Sequence, residues 1–233
     1  MKKIVIKLLH KCNLLFFSKV LIMICHDINK YFRVLVIKIK WRSFNKHNHT
    51  FVVNSAEGMH FPLDRVTVGR RSYGPLSIFH FNANNEKLVI GHYCSISTGV
   101  KFILGGNNTI NTFLTFPIRF FLAGGETEAQ SNGPIRVEDD VWIGTDAIIL
   151  SGVTLARGTV IAAGSVVTKS TQPYSVNGGV PAKLIKYRFA DSMINSLMDI
   201  DFENINDESV LNCLSEICSP MNHEILVKIK ESC

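Results

Sequence analysis

Aliphatic side chains recur at every sixth position along a stretch in the second half of the chain. From Ile135 the residues fall into six consecutive hexads that end at Ser170. A period of six matches neither the 3.6-residue turn of a helix nor the two-residue alternation of a simple strand. The third position of each hexad is aliphatic: Val137, Ile143, Ile149, Leu155, Ile161 and Val167. The first position is small or aliphatic, and glycine recurs near the hexad end, at Gly152, Gly158 and Gly164.

A short strand followed by a turn, repeated, accounts for this period. Each hexad then forms one flat side of a prism, and three hexads close one coil. One aliphatic side chain per side points inward and stacks on its counterpart eighteen residues away, with coils at the interstrand spacing of about 4.8 Å. Runs in the same phase, from Leu88 to Phe102 and from Val66 to Val68, extend the pattern towards the N terminus. Because each coil is buried by its neighbours, the ends of the column need caps.

Three segments depart from the repeat and define the expected domain organisation. Residues 105–134 break the hexads, and a loop of that length inside a compact repeat is usually functional. Residues 188–233 switch to helical spacing, and we expect these helices to cap the column or to pack between subunits. Residues 1–46 form an N-terminal arm, which leaves 47–187 as the repeat domain. The apolar faces expected in the tail are Phe189, Met193, Leu197 and Ile200; Val210, Leu211, Leu214 and Ile217; and Ile225, Leu226 and Ile229.

The arm is basic and apolar at once. Residues 1–46 hold eleven Lys or Arg and one acid, whereas the rest of the chain holds fourteen Lys or Arg and eighteen acids, so the net charge of +6 hides an asymmetry. The rest of the chain carries no nucleic-acid signature. The apolar run from Leu14 to Cys25 is shorter than the roughly 20 residues of a spanning helix. We predict a helix-rich arm that either contacts the anionic inner face of a membrane or packs on the core or a sister subunit.

Composition excludes several other classes of protein. A hydrophobic content of 46% with 19% charged residues predicts a packed core and excludes general disorder. The six cysteines are scattered without paired spacing, so the sequence predicts neither a disulfide scaffold nor a metal site. Free thiols are typical of a reducing compartment, and we expect a cytoplasmic protein.

The string VEDDVWIGTDAIILSGVTLARGTVIAAGSVVTKS, followed by VNGGVPAKLIKYRF, resembles the hexapeptide-repeat acyltransferases. The similarity runs from about Val66 to Phe189 and is greatest to the branch of xenobiotic and bacterial polysaccharide O-acetyltransferases, which LVIGHYCSIS, VKFILGG, LTFP and RFADSMINSLMDIDF also resemble. The resemblance implies a mainly β fold, a left-handed parallel β-helix, and a homotrimer with acetyl-CoA between neighbouring prisms. It also implies direct transfer of the acetyl group to a hydroxyl, with no metal and no acyl-enzyme.

The resemblance assigns residues to both halves of a site. On the acceptor side it implies Thr115, Phe116 and Trp142. On the acetyl-CoA side it implies contacts with the pantetheine arm and the phosphates, where clustered cations suit a polyanion. These donor-side residues are Thr145, Ala163, Thr168, Lys169, Lys183 and Lys186.

The chain departs from the family at the general base. The family has a histidine after Gly-Gly-Asn, where this chain has Asn108. An amide positions a hydroxyl but does not take its proton near pH 7. Three alternatives follow: another base, a slow enzyme that relies on orientation, or a non-catalytic relative. The other titratable candidates are His80, His92, Glu126 and Glu128.

The acceptor is the least determined part of the prediction. We expect transfer of acetyl from acetyl-CoA to a hydroxyl of a saccharide, such as a surface polysaccharide or O-antigen precursor, because the basic apolar arm suits an acceptor at a membrane. The alternatives are an antibiotic O-acetyltransferase and a catalytically impaired or non-enzymatic trimeric relative.

Overall fold

The protein is described from a computed structural model that covers residues 2–53, 61–205 and 207–232, with side chains given for all of these except 2–18, 26, 30, 231 and 232. The chain divides into two units, Met1–Phe44 and Asn45–Cys233. The first unit is one long helix, α1 (Lys2–Phe44). Within the described part of the chain, no helix combines the length and the apolar character that a membrane span requires.

The second unit is built mainly from short strands that are rich in β-branched residues and are bounded by turns. In chain order they are β1 (His49–Val52), β2 (Val66–Val68), β3 (Tyr73–Phe79), β4 (Leu88–Ile90), β5 (Ser95–Ile96), β6 (Lys101–Ile103), β7 (Ile135–Val137), β8 (Trp142–Ile143), β9 (Ile148–Leu150), β10 (Thr154–Leu155), β11 (Val160–Ile161), β12 (Val166–Val167), β13 (Ser175–Gly178) and β14 (Lys183–Tyr187).

These strands form three parallel stacks, which the chain visits in rotation. The first stack holds β2, β4, β7 and β10; the second holds the start of β3 with β5, β8, β11 and β13; the third holds the end of β3 with β6, β9 and β12. Strand β1 pairs in parallel with β3, and β14 pairs antiparallel with β13. In every stack the two strands that the six hexads supply pair residues eighteen positions apart, such as Ile143 with Ile161. The register confirms that three hexads make one coil.

The column is filled by two side chains from each hexad. The prediction of one inward side chain per hexad was therefore incomplete, because residues 1 and 3 of a short strand point to the same side. Full burial of such an aliphatic side chain contributes about 1.5–3 kcal/mol. All twelve positions are at most 2% exposed: Ile135, Val137, Val141, Ile143, Ala147, Ile149, Val153, Leu155, Thr159, Ile161, Ser165 and Val167.

The sixth position of each hexad forms the corner between two stacks. From Asp140 to Gly164 every corner residue has a positive φ, between 56° and 79°. Three of the five are glycine, which adopts this conformation without steric cost. Gly158 also lies under Tyr174, because a Cβ at this position would be 2.3 Å from the tyrosine ring. The glycines that recur near the hexad end in the sequence thus lie in the sharp turns of the column.

The tail packs helices against the end of the column. Helices α3 (Asp191–Met198) and α6 (His223–Ser232) supply Met193, Leu197 and Leu226, which bury Tyr174. The expected first and last apolar faces are thus largely buried. The middle face is not, because Leu211, Leu214 and Ile217 are 39–68% exposed in the single chain. The remaining helices are α2 (Ile118–Leu122), α4 (Asp207–Asn212), α5 (Leu214–Ile217) and the 3₁₀ turn Leu63–Arg65.

Arginines from the column hold the turn that follows α3. The Arg70 guanidinium donates to the carbonyl oxygens of Phe202, Glu203 and Ile205 at 2.5–3.3 Å. Arg157 donates to the carbonyl oxygens of residues 198 and 200 at 3.0 and 2.8 Å. The carbonyl of Met198, which the end of α3 leaves without an intrahelical donor, is thereby satisfied.

Candidate functional site

The loop 105–134 leaves the column at the edge between the third and first stacks. It follows β6 and returns at β7, so Leu88 pairs with Ile135, 47 residues later instead of eighteen. Asn107 and Gln130 join the two ends of the loop through backbone hydrogen bonds of 3.1 and 2.8 Å. Ser131 Oγ donates to the carbonyl of Leu104 at 2.5 Å. This closed neck fixes where the loop begins and ends.

Glu86 lies buried beneath the neck, and sequence reasoning missed it. Its carboxylate accepts the Phe81 N–H at 2.9 and 3.1 Å and pairs with Arg65 at 3.1 Å. Gly105 packs on it so closely that a Cβ would lie 2.2 Å from Oε1. A buried carboxylate is tolerated where hydrogen bonds and an ion pair satisfy it, as they do here. The sequence offered no signal, because an acid in a polar turn is ordinarily solvated.

Asn108 is exposed beside the neck. The preceding residue is held by the bridge to Gln130, and the following residue, Thr109, accepts a hydrogen bond from Gln130 Nε2 at 3.0 Å. Among the described residues, no group hydrogen-bonds to the Asn108 side chain. Its amide is therefore positioned by the backbone and is available to a ligand.

The acceptor-side residues Thr115 and Phe116 lie in the same loop and are exposed. Phe116 stacks on Phe121 with ring centroids 5.1 Å apart. The Phe121 ring in turn meets Phe120 edge to face at 5.0 Å. The loop therefore presents Thr115 next to an aromatic cluster.

The other candidate bases have different placements. Glu128 accepts the backbone N–H groups of Arg119 and Phe120 at 2.6 and 3.2 Å, so it caps α2, whereas Glu126 is exposed. Of the histidines, His92 Nδ1 accepts the Arg70 N–H at 3.2 Å in a corner of the column. The second histidine, His80, is half-buried directly before Phe81, whose ring contacts the neck at Gly106.

Cys94 is unsuited to act as a nucleophile. Its side chain is buried, and burial raises the pKa of the thiol to about 12. A thiol with such a pKa stays protonated near neutral pH, and the thiolate is the reactive form.

Thr145 and Ala163 lie one above the other at a corner of the second stack. They are eighteen residues apart, both are exposed, and the N–H of Gly164 donates to the carbonyl of Thr145 at 2.8 Å. Gly144 brings the two coils together, because a Cβ there would be 2.6 Å from the Ala163 nitrogen. In the described part of the chain, the backbone N–H groups of Thr145 and Ala163 donate to no protein acceptor. The corner thus offers two open donors that no sequence pattern reveals.

The predicted cations gather where the column ends. Thr168 and Lys169 directly follow β12 and are exposed. The N–H of Ala182 donates to the Val166 carbonyl at 2.8 Å, which brings the start of β14 beside β12. On β14 the lysines are exposed and pair with β13, Lys183 with Gly178 and Lys186 with Val176.

Trp142 is half-exposed on β8, between Ser95 of β5 and Val160 of β11. It therefore lies on the second stack, opposite the edge from which the loop emerges. Within the residues that the structure describes, no hydrogen bond or ring contact joins Trp142 to the loop of Asn108. One chain alone does not bring the two together.

Comparison with known proteins shows which proteins this chain is similar to. Residues 134–169 match the family described as bacterial transferase hexapeptide (six repeats). A probable macrolide acetyltransferase of Lysinibacillus sphaericus is 36% identical over 155 residues, which cover 64% of this chain and 86% of that protein. A chloramphenicol acetyltransferase of Klebsiella aerogenes is 34% identical over 141 residues, 58% of this chain and 67% of that protein.

Among solved structures, a hexapeptide-repeat acetyltransferase of Vibrio cholerae in complex with acetyl coenzyme A superposes with a TM-score of 0.44 at 21% identity. The match covers 64% of this chain and 75% of that chain.

Proposed function

We propose that this chain, which belongs to the family of hexapeptide-repeat acetyltransferases, moves an acetyl group from acetyl-CoA to a hydroxyl of a small molecule of the antibiotic type. The observation that carries the proposal is the 36% identity to a probable macrolide acetyltransferase, which extends over 86% of that protein. The chloramphenicol acetyltransferase relative supports the same class of acceptor. The relatives therefore favour the antibiotic alternative of the sequence analysis over the saccharide acceptor that we expected first.

The proposal also includes the handedness of the fold and the number of subunits. We take the three stacks to form the left-handed parallel β-helix of the family, with 1–46 and 188–233 as separate appendages, and the chain to work as a homotrimer. Support comes from the placement of Trp142, which lies on the stack opposite the loop of Asn108 in one chain. A neighbouring copy would supply the missing side of the site.

The corner at Thr145 and Ala163 suits the donor. Acetyl-CoA supplies an activated acetyl group as a thioester, and its pantetheine arm carries amide groups. The two open backbone N–H groups at this corner fit the carbonyl oxygens of such an arm. The exposed lysines Lys169, Lys183 and Lys186 suit its phosphates through charge-assisted hydrogen bonds.

Asn108 determines what the acceptor half does. Its Oδ1 accepts a hydrogen bond from the acceptor hydroxyl and orients the oxygen for attack on the thioester carbonyl carbon. The new C–O bond forms as the C–S bond breaks, coenzyme A leaves as a thiolate, and the hydroxyl proton passes to that thiolate or to water. Without a general base, the rate falls by about 10²–10⁴ relative to an enzyme with histidine. We therefore propose a slow enzyme that relies on orientation.

The direct test measures radiolabelled acetyl transfer from acetyl-CoA to a macrolide, to chloramphenicol and to a simple saccharide at equal concentrations. We expect acetylated antibiotic to form faster than acetylated saccharide. Preference for the saccharide, or transfer to none of the three, would refute the acceptor assignment.

A variant of the donor corner separates binding from acceptor choice. Ala163→Trp fills the corner and should raise the KM for acetyl-CoA at least tenfold. The same change at exposed Ala190, before α3, is the matched control and should leave the KM unchanged. Equal effects at both positions would show that the donor does not bind at this corner.

A further inference from the structure

Helix α1 carries a continuous exposed apolar stripe. Apart from the adjacent pair Tyr31 and Phe32, its members follow one another at intervals of three or four residues, which places them on one side of a helix. The stripe extends over nineteen residues, from Leu21 to Ile39, and is therefore about 27 Å long. Their side chains are 46–80% exposed: Leu21, Ile24, Ile28, Tyr31, Phe32, Leu35 and Ile39.

The opposite side of the same helix carries exposed cations, together with the exposed apolar side chains of Ile22 and Met23. Lys19, Arg33 and Lys40 are exposed and, at 3.6 residues per turn, lie roughly 125–175° around the helix from the centre of the stripe. Lys38 is exposed at the margin of the stripe, where a long side chain can reach a headgroup from an apolar surface. The sequence of the helix contains one acid, Asp27. Apolar and basic faces on one helix are typical of helices that lie in a membrane interface.

We propose that α1 is a docking helix for an anionic lipid surface, with the stripe turned towards the acyl chains and the cations among the headgroups. The length and charge of the helix support an orientation in the plane of the interface. Cations close to an anionic leaflet each strengthen binding about fivefold. The inference goes beyond acetyl transfer and holds for any acceptor.

Charge favours lipid over a second copy of the helix. The stripe has the a and d spacing through which helices form a coiled coil. Continued along the chain, however, the same spacing reaches Lys38 and then Arg42. Parallel copies would place like charges opposite one another, and the sequence of the helix contains one acid, Asp27, against these cations. Anionic headgroups neutralise the same charges.

The test is co-sedimentation of the full chain with vesicles of phosphatidylcholine alone and of phosphatidylcholine with roughly a third phosphatidylglycerol. Binding to the anionic vesicles should be at least tenfold tighter and should weaken with added salt. The charge variant K19Q/R33Q/K40Q should lose about a hundredfold. The stripe variant I24Q/I28Q should lose at least tenfold. Glutamine keeps the helix propensity, which circular dichroism checks.

Matched controls come from exposed positions in the second unit. L211Q/L214Q removes two exposed apolar side chains from α4 and α5, and K101Q/R136Q/K230Q removes three exposed cations. Both controls should bind within twofold of the unchanged protein. Equal binding to neutral vesicles, no binding to either, or equal losses in the controls would overturn the proposal. A change in oligomeric state of I24Q/I28Q without vesicles would overturn it in favour of contact between copies.

Discussion

Restoring a general base should reveal how the acceptor half works. Asn108→His places an imidazole on a residue whose backbone is already fixed by the Asn107–Gln130 bridge. The side chain there is exposed, so the ring enters without a clash. Imidazole accepts a hydroxyl proton near neutral pH, which the amide does not.

The size of the expected gain in rate depends on how well the contacts around residue 108 would position the ring. A well-positioned base contributes about 10²–10⁴ in rate. Gln130 already donates to Thr109, at 3.0 Å, and no described side chain hydrogen-bonds to residue 108 to orient a ring. We therefore expect a gain in kcat near or somewhat below the low end of this range, at least tenfold. The KM for acetyl-CoA should change little.

The assay is steady-state acetyl transfer followed across pH. The added activity should disappear as pH falls through the ordinary imidazole pKa of about 6.5, because the protonated ring cannot act as a base. Asn111→His is the matched control, since it makes the same exchange at an exposed position of the same loop. No gain from Asn108→His in a folded protein, or an equal gain from Asn111→His, would show that residue 108 does not face the acceptor.

Three further predictions concern stability. Ile149→Ala should lower the free energy of unfolding by about 3 kcal/mol in denaturant titrations, because Ile149 is fully buried, whereas Ile148→Ala on the outer side of the same strand should cost less than about 1 kcal/mol. Glu86→Ala should cost about 3 kcal/mol, since it leaves buried donors unpaired, and exposed Glu126→Ala should be neutral. Burial raises the pKa of Tyr174 to about 12, so ionisation near 10 in the unfolded chain favours unfolding as pH rises. The unchanged protein should therefore lose up to about 2.5 kcal/mol of unfolding free energy between about pH 10 and 12, and Tyr174→Phe should not show this loss. An equal loss in both proteins would contradict the prediction.

The repeat was predictable because each coil contacts only the coils next to it along the column. A hexad that buries positions 1 and 3 can do so only against hexads eighteen residues away, so the period in the sequence dictates the register. Val137 on Leu155 and Ile149 on Val167 are pairs that follow from counting alone. The tail helices α3 and α6 were predictable for a similar reason, since their apolar residues recur at helical intervals.

The position of the loop in the chain was predictable, but its contacts were not. Nothing periodic links Gly105 to Glu86 or Asn107 to Gln130, because these contacts depend on how an irregular segment folds back on the column. The open N–H groups at Thr145 and Ala163 are equally invisible in sequence, since side-chain identity does not report whether a backbone donor is paired.

The two proposed halves of the site depend on the fold to different degrees. The proposed donor corner consists of backbone groups that the register of two coils places, so its geometry is tied to the stability of the column. The proposed acceptor half is a side chain on an exposed loop, and contacts at the two ends of the loop hold it independently of the residues between them. Exchanging one residue in the loop can therefore remove or restore a proton acceptor without a measurable cost to folding. Asparagine at position 108 is thus compatible with an intact fold and an intact donor corner, so its effect should be confined to the proton-transfer step.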